Sequence, residues 1–276
     1  MATQPQGNAA LPLLYRGLEP LNSGQHSKMK LKRQQTIPHV GQVHAIPVTI
    51  DEFIPAQRTY PIIFSAGETP VPLVLMGLNE GVNTFIDEQG MPIDEGAYMP
   101  AYLRRYPFLL AKLRPDTDEL SLCFDPTGGG IAESEEGDAL FDGDQPTELT
   151  KNILAFCEQF ETAGQRTQAF VEELQKNDLL MEGEVSVQPE GAAQPFVYRG
   201  FRMVDEEKLR NMRGDELRKI NQNGVLPLIF AHLMSLGQIR DLFYRQIQQG
   251  KGPVAAAPTP SAGKTKGEKV GNGAEA

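Results

Sequence analysis

The chain has 276 residues, of which 40% are hydrophobic and 22% charged. That is apolar side chain enough for a real core in one large domain or two modest ones. With 26 Lys plus Arg against 36 Asp plus Glu the formal net charge is -10, which excludes a chain-wide basic attraction to nucleic acid or anionic lipid.

Residues 1–10, MATQPQGNAA, lack the basic start and apolar run of a secretory signal, and LPLLY at 11–15 is too short to supply one. A cytoplasmic protein is expected on that ground. Arg16, Lys28, Lys30, Lys32 and Arg33 form a basic stretch opposed only by Glu19, with no sustained helical or strand period. It reads as a solvated arm, the alternative being docking to a partner or to the acidic part of the same chain.

From 44 to 124 short apolar runs alternate with turns: HAIPV, YPIIF, VPLVLMG, NTFID, YPFLLAKL and ELSLCF. These predict strands, and connections too short for a crossover helix predict a mainly antiparallel sheet. TIDEF at 49–53 carries the Thr49 and Glu52 spacing of a capping box and predicts a short helix, as does MPAYLRRY at 99–106. Arg58–Phe64 and Arg104–Leu110 share a Tyr-Pro entry to a strand, so two related hairpins are one reading and coincidence the other.

Between Asp116 and Glu148 stand eleven carboxylates and no Lys or Arg. The part at 125–146 reads as a long solvated loop, with Leu140 and Phe141 as an anchor onto the body; its spacing fails the EF-hand pattern. Thr147 then caps a helix predicted to run to about Lys176, with Gly164 marking a bend, a packing contact or a division. LLMEGEVSVQ and PFVYRGFRMV form a hairpin around EGAA, Asp205 caps a further helix, and another begins near Gly214. Asn223 and Gly224 precede a final helix over 225–248, broken at Gly237, whose first part is apolar all round as a buried helix should be.

VLPLIFAHLMSLG, the longest apolar stretch, has 13 residues, below the roughly 20 needed to cross a bilayer, so no membrane insertion is expected. Residues 250–276 are almost entirely Gly, Ala, Pro, Lys, Ser and Thr, and predict a disordered low-complexity tail. GKT at 263–265 is no phosphate loop, because Pro258 stands where that loop needs Gly. The expected fold class is therefore α+β, a mainly antiparallel N-terminal sheet packed with C-terminal helices, plus the disordered tail. Residues 1–249 form the body with its N-terminal arm, as one unit or two closely packed subdomains.

No HExxH, GxSxG or GxGxxG occurs, and Cys123 and Cys157 read as core thiols rather than a disulfide or a CxxC site. No cofactor is expected. His39 and His44, or His26 and His232, could join a distant acid in a metal site, but nothing in the sequence selects them over ordinary loop and core roles. His232, within LIFAHLMSLG, is expected to be a hydrogen-bonded core histidine, with a pocket role as its functional alternative. The densest candidate binding set is Tyr98, Tyr102, Arg104, Arg105 and Tyr106, supplemented by Tyr198, Arg199, Phe201 and Arg202. Aromatic rings there offer platforms and guanidinium groups paired donors for carboxylate or phosphate, against a structural reading as packing and salt bridges.

LPLLYRGLEPLN at 11–22, the two Tyr-Pro segments, AYMPAYLRRYPFLL at 97–110, LSLCFD at 120–125, RGFRMVDEEKL at 199–209 and LIFAHLMSLG at 228–237 together resemble the SapC family, over about residues 11–245. The resemblance implies a link to bacterial surface-layer protein production or export and brings no catalytic residue. The expected function is a non-enzymatic binding or accessory protein with a protein or peptide partner and no nucleic acid, cytoplasmic and peripherally associated with envelope assembly machinery. The alternatives are a metal-dependent oxygenase or hydrolase with dispersed ligands, and a structural subunit.

Overall fold

Alternating β-branched and aromatic residues between turns, followed by long apolar-periodic segments, dictate strands first and helices second. The computed structural model describes residues 11–32, 36–37, 39–114, 116, 119–188 and 194–252. The EGAA turn at 190–193, Arg33, Asp118 and 253–276 of the expected tail lie outside the described residues.

In chain order come β1 (Glu19–Pro20), α1 (Ser23–His26), β2 (Met29–Leu31), β3 (Ala45–Pro47), α2 (Phe53–Ala56), β4 (Ile62–Ser65), β5 (Pro72–Leu75) and α3 (Ala101–Arg104). They are followed by β6 (Phe108–Lys112), β7 (Leu120–Phe124), β8 (Ile131–Glu133), β9 (Asp138–Ala139), β10 (Phe141–Asp142), β11 (Gln145–Pro146) and α4 (Glu148–Lys176). The chain then forms β12 (Leu180–Val187), β13 (Phe196–Val204), α5 (Glu206–Arg210), α6 (Gly214–Gln222), α7 (Val225–Ser235) and α8 (Gln238–Gln248).

The central sheet has the order β12-β13-β4-β5-β3, and every pairing in it is antiparallel. An antiparallel sheet packed with C-terminal helices is thus the architecture, with one addition: the hairpin β12–β13 from the C-terminal half joins the N-terminal strands. A bulge at Gly183 and Glu184 lets the hairpin bend over the core, and a β-carbon at Gly183 would overlap the Phe201 ring. Both Tyr-Pro segments open hairpins, but β4–β5 and β6–β7 belong to different sheets.

Four expectations need correcting. NTFID forms no strand, only an isolated bridge from Ile86 to Pro92, because buried Asn83 caps the Phe85 and Ile86 amides and closes the segment into a turn. The basic stretch is no solvated arm: β2 pairs with both β8 and β9, and Lys30 Nζ donates to the Glu135 carbonyl at 2.8 Å. Equally, 125–146 is solvated at its carboxylates from Glu133 to Asp144 and anchored by Leu140 and Phe141 as expected, but it is no plain loop: it supplies β8 to β11 and, with Phe108, Phe124 and Cys157, a second core of Ile131, Leu140 and Phe141. Finally, α7 is covered on only one side: Phe230 is 44% and Met234 71% exposed.

Helix α4 runs unbroken for 29 residues through Gly164, capped by the Thr147 hydroxyl. Cys123 and Cys157 are free, buried thiols, and desolvation pushes both up to about 11. Among the described residues no helix is long and apolar enough to cross a membrane.

The joint between β4 and β13 has only two paired positions, Phe201 with Ser65 and Arg202 with Phe64. Two residues further along this register, Ile62 faces Val204, and there the His232 ring replaces the direct ladder bond. Its Nδ1 donates to the Ile62 carbonyl at 2.8 Å, and its Nε2 accepts the Val204 amide at 3.0 Å. The carbonyl can only accept and the amide only donate, so the ring is neutral with its proton on Nδ1. Ser235, one turn on, accepts the Ile62 amide at 2.9 Å. Burial lowers the His232 pKa from 6.5 to about 4.

Protonation is therefore tied to unfolding. Stability should be full above pH 6.5, where His232 is neutral in both states, and fall as acid protonates the unfolded chain down to about pH 4, a loss of about 3 kcal/mol. In urea denaturation His232→Leu should cost about 3 kcal/mol at pH 7.5, by orphaning the Ile62 carbonyl and Val204 amide, and flatten that acid slope. A variant as stable as the parent would refute the bridge.

Candidate functional site

The first candidate set is organised by one buried carboxylate. Glu52 ends the 3-10 turn Ile50–Glu52 that leads into α2. Its Oε2 accepts the Thr49 amide and hydroxyl, both at 2.9 Å, as the capping-box spacing predicts. Its Oε1 accepts the Ala101 amide at 2.6 Å and the Tyr98 hydroxyl at 3.1 Å. Four donors satisfy a carboxylate that would otherwise be costly to bury, and they fix the start of α3.

With α3 fixed, Tyr102, Arg105 and Tyr106 turn inward and Arg104 outward. Tyr102 donates to the Leu13 carbonyl at 2.7 Å, and Tyr106 contacts buried Asp125 at 3.4 Å. Burial first, and then the neighbouring carboxylates, push Tyr98 and Tyr106 up to about 12, so both hydroxyls remain donors at neutral pH. Arg104 stacks on Phe156 at 5.1 Å and on Tyr98 at 5.9 Å.

Arg105 is only 7% exposed. Its guanidinium lies 4.2 Å from the Phe160 ring centre, 4.7 Å from that of Tyr102 and 5.8 Å from that of Tyr15. Its ion pair is Nη1 to Glu161 at 3.2 Å, while buried Nε has no partner. Such a cation is held by ring faces and one carboxylate, with donor capacity to spare.

Tyr102 and Phe160 are also the end of a groove of about 440 Å3. One wall is a face of α4, carrying Phe160, Gly164, Thr167, Gln168, Val171 and Gln175; the other is Pro47–Thr49 with Thr69–Pro72. The volume falls in the range of about 300–1,000 Å3 of natural binding sites. Val71, 45% exposed, stands in it. Sequence reading missed this groove, because its walls lie about a hundred residues apart; the one trace was Gly164, which lowers the helix ridge where it lines the opening.

The second candidate set stands elsewhere, on β13. Phe201 is core, Tyr198 stacks on it at 5.3 Å, and Arg199 pairs with Glu184 at 2.8 Å. Arg202 lies 3.9 Å from Glu182. Among the described residues no hydrogen bond, ion pair or ring contact joins this set to the first. His232 is the strand bridge described above, fully buried away from the groove lining.

The remaining histidines have local roles. His26 accepts the Asn22 amide on Nδ1 and contacts Glu19 through Nε2 at 2.9 Å. His39 adopts a left-handed turn with φ of 62°, and burial lowers the His44 pKa. No group of three or more His, Cys, Asp and Glu among the described residues is arranged to hold a metal ion, so the dispersed ligand sets considered from sequence do not converge.

The sequence model of the family described as SapC matches residues 21–242. No curated protein and no solved structure matches the chain.

The Glu52 anchor has a graded test in urea denaturation. Glu52→Gln turns an amide donor toward existing donors and should cost about 3 kcal/mol, whereas Tyr98→Phe removes one of the four bonds and should cost about 1 kcal/mol. Equal costs would show that the carboxylate does not organise the segment.

Proposed function

The chain belongs to the SapC family, and we propose that it is a non-enzymatic accessory protein that holds a protein partner in the groove between α4 and the β4–β5 connection. The observation that carries this reading is the groove itself: an open apolar slot ending on Tyr102 and Phe160, with exposed Arg104 beyond that end. Apolar walls supply affinity through burial, and a cation at one end supplies orientation.

The structural roles of His232 and His26, and the dispersal of His, Cys, Asp and Glu among the described residues, favour a binding role over the oxygenase and hydrolase readings. The family name links this role to surface-layer protein production or export, with the partner an export substrate or an assembly enzyme.

Capture from the native bacterial extract tests the surface. Val71→Asp places a charge in the groove and should lower recovery of the partner at least about tenfold. Arg202→Ala, on the other candidate surface, should leave recovery unchanged. Full recovery with Val71→Asp, in protein of unaltered circular dichroism, would rule out the groove.

A further inference from the structure

The groove's walls restrict what can lie in it. An added strand needs free backbone donors and acceptors along one wall, but Pro47, Pro70 and Pro72 have no amide hydrogen. Of the other amides, Val48 donates to the Pro72 carbonyl, Thr49 to Glu52 and Val71 to the Ser65 hydroxyl, and the single amide of Thr69 is too little for an added strand. On the facing wall the backbone is bonded within α4, and the Thr167 hydroxyl is occupied by the Ile50 amide and the Ala163 carbonyl. An occupant must therefore satisfy its own backbone, which a helix does.

Charge along the groove is uneven. At the Gln175 end stand Glu172 and Glu68, whose carbonyl is held by Gln175, and here the negative pole of α4 also lies. Beyond Phe160, at the other end, stands exposed Arg104, stacked on Phe156, while Arg105 is buried behind the rings and paired with Glu161.

Resting on the groove as the binding surface, we propose that the occupant is an amphipathic α-helix of the protein partner, antiparallel to α4. Its apolar face enters the groove. Its amino-terminal pole, or a Lys or Arg, meets Glu172 and Glu68, and its carboxy-terminal pole or a carboxylate meets exposed Arg104. Gly164, where an added β-carbon would have nothing within 4 Å, leaves a gap in the α4 ridge for a side chain of that helix.

Photo-crosslinking of the full chain distinguishes this from other occupants. Benzoylphenylalanine is placed at exposed Gln168 or Gln175 in separate variants, irradiated in native extract, and the labelled partner residues are mapped. The two positions are separated by about 10 Å along α4. A helix in the groove should give labels about seven residues apart, an extended chain about three. The Gln175 label should lie nearer the partner's amino terminus.

A three-residue offset, the reverse order, or labels on a lipid or small metabolite would overturn the helix while leaving the groove as a binding surface. Absence of a label from both positions would overturn the helix as well, and unchanged capture by Val71→Asp would remove the binding surface with it. A synthetic peptide spanning the labels should gain helical circular dichroism on binding and lose about fivefold in affinity for Glu172→Lys. Unchanged affinity would refute the proposed polarity.

Discussion

The fold depends on a histidine that stands in for part of a β-ladder. The N-terminal strands and the hairpin β12–β13 meet over two residue pairs, too short a seam to hold a five-stranded sheet by backbone bonding alone. His232 extends that seam by bridging Ile62 and Val204, and Ser235 takes the remaining amide of Ile62. Because both side chains come from α7, the same contacts attach the helical layer to the sheet. The cost is a neutral imidazole with no exposure to water, which ties integrity of the sheet to pH.

Elsewhere the same device recurs: a buried polar side chain takes over backbone groups that no helix or strand can pair. Asn83 donates to the Val40 and Val43 carbonyls and accepts two amides, Gln246 accepts the Leu78 amide, and Asp125 accepts those of Arg16 and Thr127. Glu52 belongs to this group, and through Tyr98 and Ala101 it sets the position of α3. The groove end formed by Tyr102 is thus a consequence of a carboxylate on another segment. Long irregular connections are stable here because their polar groups are satisfied from inside.

Strand pairing gathers the basic and acidic segments into one sheet. The basic segment around Lys30 pairs with the acidic stretch through β2, β8 and β9, and that stretch adds its own apolar anchors, Ile131, Leu140 and Phe141. What remains around the groove is a smaller asymmetry, acidic near Glu172 and basic near Arg104. An apolar slot with charged ends orients an elongated occupant better than a uniform patch would.

Sequence by itself determined the elements whose cause is local. Residue periodicity located β3 to β7, α4 and the broken pair α7 and α8, and the capping geometry of Thr49, Thr147 and Asp205 followed from their spacing. The ordered motifs also identified the family. Tertiary structure alone decided where those elements meet. It put the acidic stretch beside β2, left Phe230 and Met234 uncovered on a helix apolar all round, and divided the proposed aromatic and arginine set between α3 and β13. Above all it made the groove from Val48, Val71 and Phe160. Local periodicity states that a face is apolar; which surface covers it, or leaves it open, depends on contacts between residues distant in the chain.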